Sequence, residues 1–226
     1  MLSLAKGVFI TGTDTDVGKT VISCGIIKYL SKKGFSVAGM KPVASGCKKT
    51  ENGLRNSDAL RLIEASGLDI DYRLVNPYAF EEPIAPHIAA IQTQTDISLE
   101  MIKDCFKQLS EKVDAVVVEG VGGWLVPLKD DIGIDDMVSA LQLPVIIVVD
   151  IRLGCLNHAL LTCENILDKG LFLGGWVANQ ATPDQMYVAE QINSLRERIP
   201  APLLGEVTYK KGITVDDVVK CLHLPF

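Results

Sequence analysis

Five apolar, strand-favouring runs in the chain are continuous: Val8-Phe9-Ile10, Val37-Ala38-Gly39-Met40, Ala115-Val116-Val117-Val118, Val145-Ile146-Ile147-Val148-Val149 and Trp176-Val177-Ala178. A strand with one wet face alternates apolar and polar side chains, whereas an unbroken run belongs to a strand covered on both faces. Between these runs, Val21 to Lys32, Asp58 to Ala65, Ser98 to Leu109, Asn157 to Asp168 and Asp184 to Arg198 carry apolar residues at helical spacing. The alternation predicts an α/β fold, doubly wound, with a mostly parallel sheet and helices on both faces. The Trp176 run is expected to form the sheet edge furthest along the chain. From Tyr72 to Ala90, Pro77, Pro83 and Pro86 break any period, so this stretch reads as a long ordered loop, serving binding or a mere surface excursion.

The first run leads into Gly12-Thr13-Asp14-Thr15-Asp16-Val17-Gly18-Lys19-Thr20, and a helical pattern follows at once through Ile22, Ile26, Ile27 and Leu30. A glycine-containing loop between a strand and a helix N-terminus turns backbone N–H groups inward, and the helix dipole adds positive potential where a phosphate would sit. Lys19 is then placed to reach the β- and γ-phosphates and the Thr20 hydroxyl to ligate Mg²⁺. These features specify the phosphate-loop NTPase type of fold. The loop departs from the strict motif in one respect: Thr13 stands where the first glycine belongs, and Gly12 comes one residue early. The similar loop of septum-site and plasmid-partitioning ATPases has a second lysine five positions before the Gly-Lys-Thr lysine. Asp14 stands there instead, which argues against a nucleotide-driven dimer switch of that kind.

In a doubly wound sheet, ligands gather beyond the carboxyl ends of the strands. Glu119 ends one run and precedes Gly120-Val121-Gly122-Gly123, where glycines let the backbone approach a ligand, so it is a candidate Mg²⁺ carboxylate. Lys41 follows another run and offers a point charge to developing negative charge, although a lysine there is also commonly solvated. Asp58 reads either as the N-cap of its helix or as a second metal carboxylate. Asn179 reads either as a reader of an adenine edge or as a turn former. His87, His158 and His223 have no metal-ligand spacing.

A length of 226 residues, 48% of them hydrophobic and 22% charged, fits one globular domain over residues 1–226. A net charge of −6 and the lack of a basic cluster speak against nucleic acid or an anionic membrane as partner. The six cysteines are scattered and unpaired in spacing, which suggests free thiols. With no signal-peptide pattern or apolar run of spanning length, a reducing cytoplasm is the expected setting.

Together, the phosphate loop, Lys41-Pro42-Val43-Ala44-Ser45-Gly46, Arg55-Asn56-Ser57-Asp58-Ala59, Glu119-Gly120-Val121-Gly122-Gly123-Trp124 and Gly154-Cys155-Leu156-Asn157-His158-Ala159 resemble dethiobiotin synthetase, in that family's order. Trp176-Val177-Ala178-Asn179 and Ile199-Pro200-Ala201-Pro202-Leu203-Leu204-Gly205 continue the resemblance. It implies an ATP- and Mg²⁺-dependent ligase of biotin synthesis that converts 7,8-diaminopelargonate, CO₂ and ATP to dethiobiotin, ADP and phosphate. It further implies that Thr13, Asp14, Thr15, Asp16, Val17, Gly18, Lys19 and Thr20, with Gly120, Val121 and Gly122, hold the nucleotide. Thr20, Asp58 and Glu119 would hold the metal, Lys19 and Lys41 act in catalysis, and Ser45 position the substrate. Asn179, Gln180, Thr208, Tyr209 and Lys210 would contact adenine, although Thr208 stands where the family commonly has proline. Gly154, Cys155, Leu156 and Asn157 would bind the substrate carboxylate of a neighbouring subunit, making the active unit a homodimer. Related cobyrinate- and cobyrate-amidating enzymes normally carry a further glutaminase domain, for which no chain is expected to remain. A regulatory protein that uses ATP only to change shape is the alternative from another class, and Asp14 and the Lys41 to Ser45 segment argue against it.

Overall fold

A computed structural model describes residues 6–225. Six strands form one sheet: β1 (Gly7–Gly12), β2 (Val37–Met40), β3 (Ala115–Glu119), β4 (Val145–Asp150), β5 (Leu173–Asn179) and β6 (Leu203–Val207). They lie in the order β6-β5-β4-β1-β3-β2, and every pairing is parallel.

The unbroken apolar runs resolve into two faces. Val8, Ile10, Val117, Ile146 and Val148 pack on one side, while Phe9, Val116, Val118, Val145, Ile147 and Val149 pack on the other. The first face is covered by helices α1 (Lys19–Lys32), α2 (Ser57–Ser66) and a C-terminal helix (Val215–Cys221). The second is covered by Leu99–Ser110, Ile134–Leu141, Cys155–Asp168 and Val188–Arg196. Each fully buried large side chain, Phe9, Ile10 and Trp176 among them, contributes roughly 1.5–3 kcal/mol by leaving water. The doubly wound expectation therefore holds.

Two expectations need correction. The Trp176 run is not the sheet edge, because β6 pairs outside it, with Asn179 opposite Val207. Pro200 and Pro202 lead into β6 and disguise it, and an outer strand tolerates such neighbours because one row of its backbone groups needs no partner. Nor is Tyr72 to Ala90 a plain loop. It contains a helical turn (Tyr72–Val75), a short strand (Tyr78–Ala79) paired in parallel with Val43–Ala44, and the start of a helix (Pro86–Thr93). Its order comes from distant backbone rather than from a local period. Lys41 N–H donates to Val75 O, Tyr78 N–H to Pro42 O and Cys47 N–H to Phe80 O, while Asn76 Nδ2 donates to Lys41 O at 2.7 Å. The segment thus holds the chain from Lys41 to Cys47 beside the carboxyl ends of the sheet.

Candidate active site

Because all six strands run the same way, their carboxyl ends share one edge, and the chain reverses direction of winding around β1. The phosphate loop leaves β1 there. Its displaced glycine has a steric reason: a Cβ at Gly12 would lie 2.5 Å from Val17 Cγ2. Gly18 adopts φ 96°, and a Cβ on it would lie 2.2 Å from Asn179 Nδ2. Gly18 caps α1 with no side-chain hydrogen bond, so the first N–H groups of that helix remain available to a ligand at the loop. Asp16 also has a left-handed backbone, φ 59°, a conformation costing on the order of 1–3 kcal/mol outside glycine.

The loop opens on a cleft of about 870 Å³. Asp14, Thr15, Asp16, Gly18, Lys19 and Thr20 line its floor; Lys41, Ser45 and Asp58 form one wall, and Glu119, Val121 and Gly122 another. Thr13 and Val17 lie behind this surface: Thr13 N–H donates to Val148 O and Val17 is buried. Pro83, Ile84, Ala85 and Pro86 complete the rim, and Arg61, one turn after Asp58 on α2, reaches it as well.

At the centre lies a buried charge cluster. Lys41 Nζ is 2.6 Å from Glu119 Oε1, donates to Gly120 O at 2.8 Å and is 3.5 Å from Asp58 Oδ2. Lys41 is thus buried against carboxylates and not solvated, with 4% of its surface exposed. Burial works against its charge, but Glu119 and then Asp58 outweigh that cost and hold Lys41 above the ordinary lysine range. Thr20 Oγ1 donates to Glu119 Oε1 at 2.9 Å, while Glu119 Oε2 is buried without a partner. Lys19 Nζ donates to Asp14 O at 2.8 Å, and burial, then the Lys41 charge, pulls it down to about 8. The N-cap of α2 is Asn56, whose Oδ1 accepts from Asp58 N–H and Ala59 N–H, worth about 1 kcal/mol. Asp58 is therefore not the cap, and its carboxylate is left for the cleft.

Asn179 ends β5 and reaches back to the loop, where its Nδ2 donates to Val17 O at 2.8 Å. Gln180 N–H donates to Val207 O, and Thr208, Tyr209 and Lys210 follow β6 on the exposed surface beside it. None of these lines the cleft. Gly154, Cys155, Leu156 and Asn157 likewise stand apart, at the start of helix Cys155–Asp168, next to Leu153 with 93% of its surface exposed. Two charged residues at the carboxyl end of β4, Asp150 and Arg152, escaped the sequence reading although Arg152 contacts Asp14. The only signal for them was their place just after an apolar run.

Strand, glycine-bounded loop and a helix whose N-cap offers no side-chain hydrogen bond, with a lysine and a hydroxyl at the helix start, place the chain among the phosphate-loop nucleotide-binding α/β proteins. Solved structures agree at the level of the fold. Septum-site-determining protein MinD from Pyrococcus horikoshii, complexed with Mg-ADP, superposes with a TM-score of 0.60 at 13% identity, covering 95% of this chain and 85% of that one. The MinC:MinD cell division complex of Aquifex aeolicus gives 0.55 at 17% identity, covering 96% and 86%. A family model described as an AAA domain matches residues 6–216. Among curated proteins, the ATP-dependent dethiobiotin synthetase of Escherichia coli O157:H7 is 50% identical over 203 residues, 90% of each chain. That of Vibrio campbellii is 49% identical over 216 residues, 96% of this chain and 95% of its own. The chain belongs to the family of the ATP-dependent dethiobiotin synthetases.

Proposed function

We propose that the protein closes the cyclic urea of dethiobiotin from 7,8-diaminopelargonate, CO₂ and ATP in the cleft described above. The observation that carries this reading is the buried contact of Lys41 with Glu119, shared with Thr20 and Asp58, directly beside the phosphate loop. One amine of the substrate takes up CO₂ and loses a proton to give a carbamate. A carbamate oxygen then bonds to the γ-phosphorus as the bond to the β-phosphate oxygen breaks and ADP leaves. The second amine attacks the carbamoyl carbon, expels phosphate and loses a proton, which completes the ring.

An anionic carbamate must approach an anionic phosphate, and two lysines stand where they offset that repulsion. Lys19 would meet the β- and γ-phosphates, and Lys41 the transferring phosphoryl oxygens and the carbamate. Ser45, whose buried hydroxyl has no hydrogen-bond partner among the described residues, would orient the substrate. Mg²⁺ fits this donor set: Thr20, Asp58 and Glu119 are hard oxygen donors, and the second Glu119 oxygen is buried and unsatisfied. Bound there with the phosphates, the ion would neutralise charge on the β,γ-bridge. Asn179, Gln180 and Thr208 to Lys210 would form the adenine side, reached past the loop that Asn179 holds.

Gly154 to Asn157, at the start of helix Cys155–Asp168, do not line the cleft of their own chain; by the family resemblance, those of a second copy would receive the substrate carboxylate, which would make the active unit a homodimer. One domain per chain and a reducing, cytoplasmic setting complete the reading. The six free cysteines, five of them buried, fit the reducing setting. Purified protein given the diamine, bicarbonate, ATP and Mg²⁺ should yield dethiobiotin by mass spectrometry. Phosphate release indifferent to the diamine, with no such product, would rule the reaction out.

A further inference from the structure

Arg152 follows β4 and touches two carboxylates from different parts of the fold. Its Nε lies 3.4 Å from Asp150 Oδ2, and its Nη2 lies 3.1 Å from Asp14 Oδ2 in the phosphate loop. Asp150 is itself fixed, because its Oδ1 accepts Ala181 N–H at 2.9 Å from the chain leaving β5 and only 7% of the residue is exposed. Asp14 is tied into the loop at both ends. Its Oδ1 accepts Thr15 N–H at 2.8 Å, and its main-chain oxygen accepts from Lys19 Nζ. The guanidinium therefore joins a fixed anchor on the sheet to the half of the loop that holds the Lys19 ammonium. It also sets a positive charge beside the Asp14 carboxylate.

We propose that Arg152 is a positioning residue for nucleotide binding: by strapping Asp14 to the end of β4 it keeps the loop in shape for phosphates and masks the Asp14 charge from them. The proposal rests on the nucleotide site described above but requires nothing of the diamine chemistry. An arginine suits the task because its planar fork spans two acceptors, which a lysine ammonium on its flexible stem does not reproduce. The side chains of Arg152 and Asp14 are 39% and 50% exposed, so the effect is that of a partly screened ion pair, about two- to fivefold in affinity.

The test is calorimetric titration of the full chain with Mg²⁺ and a non-hydrolysable ATP analogue, for the parent protein and for R152A, R152K, D14N and R152A/D14N. R152A should weaken binding about two- to fivefold at low ionic strength and less in salt. R152K should recover only part of the loss. With Asp14 already replaced by Asn, R152A should add nothing further, since its partner charge is gone. Steady-state kinetics should show the loss in KM for ATP with kcat held within about twofold. Three results would overturn the proposal: an R152A effect that persists undiminished beside D14N, an unchanged nucleotide affinity accompanied by a lower unfolding temperature, or a loss confined to KM for the diamine. Intact nucleotide affinities with no dethiobiotin formed would count against the reaction and leave the strap standing.

Discussion

Replacing Lys41 with Met keeps most of the aliphatic stem and deletes the charge. In the parent protein the Lys41 and Glu119 side chains retain 5% and 0% of their exposure, with Nζ 2.6 Å from Oε1. Without the ammonium, Glu119 keeps only the Thr20 hydroxyl as a donor, and its second oxygen still has no partner. Breaking a buried pair by removing one member costs about 3–5 kcal/mol, because the other charge is stranded away from water. The cleft beside it admits solvent, so the lower end, about 3 kcal/mol, is expected. Gln at position 119 removes the stranded charge, and K41M/E119Q should therefore be more stable than the sum of the two single losses by at least about 2 kcal/mol. Urea unfolding of the four proteins measures this coupling directly. Additive losses within about 0.5 kcal/mol would refute the claim that the pair acts as a unit. In the same series turnover should fall about 10²- to 10³-fold in K41M, as for loss of a donor to the transition state. Nucleotide affinity should fall less than about fivefold, and an equal loss of both would contradict a role in the chemical step.

Lys19 has its charge resisted by burial and by Lys41, and its value of about 8 lies below the ordinary 10.5. Between these pH values the unfolded chain binds the extra proton, so stability of the nucleotide-free protein should rise with pH across that window, while below about 8 the full cost of burying the charge is present. Nucleotide binding calls for the charged form, so titration at pH 9 should take up protons, visible as a buffer-dependent heat, and affinity should fall by up to about tenfold per pH unit above 8. K19Q should lack both effects; a proton uptake it retains would assign them to another group. Gly18→Ala should lower nucleotide affinity more than tenfold in a fluorescence titration, since its Cβ would meet Asn179 Nδ2 at 2.2 Å with φ at 96°. Parent-like binding by G18A would mean that the loop can move away from Asn179 without cost.

Much of the site was legible because its residues mark the ends of strongly patterned strands. Lys41, Glu119 and Asn179 each follow an apolar run, and parallel strands bring such positions to one edge whatever the loops between them do. What each residue does there was less legible. Asp58 read equally well as a helix cap, and only the Asn56 amide, already bonded to Asp58 N–H and Ala59 N–H, decides that its carboxylate is free for the cleft. Asn179 read either as an adenine reader or as a turn former, and nothing in the sequence pointed to the Val17 carbonyl, to which its Nδ2 donates.

The sequence by itself determined the parallel sheet, its two covered faces and the phosphate loop, because these follow from local periodicity and from a loop read together with its flanking strand and helix. Tertiary structure alone decided the outer place of β6, the order in the chain from Tyr72 to Ala90 and the strap from Arg152 to Asp14. Each rests on partners far apart in the chain. The Tyr72 to Ala90 stretch spends its hydrogen bonds on Lys41 to Cys47, so it needs no period of its own. Arg152 meets a residue 138 positions earlier only because β4 lies next to β1, and that adjacency is set by how the strands pack and not by the residues that then come into contact.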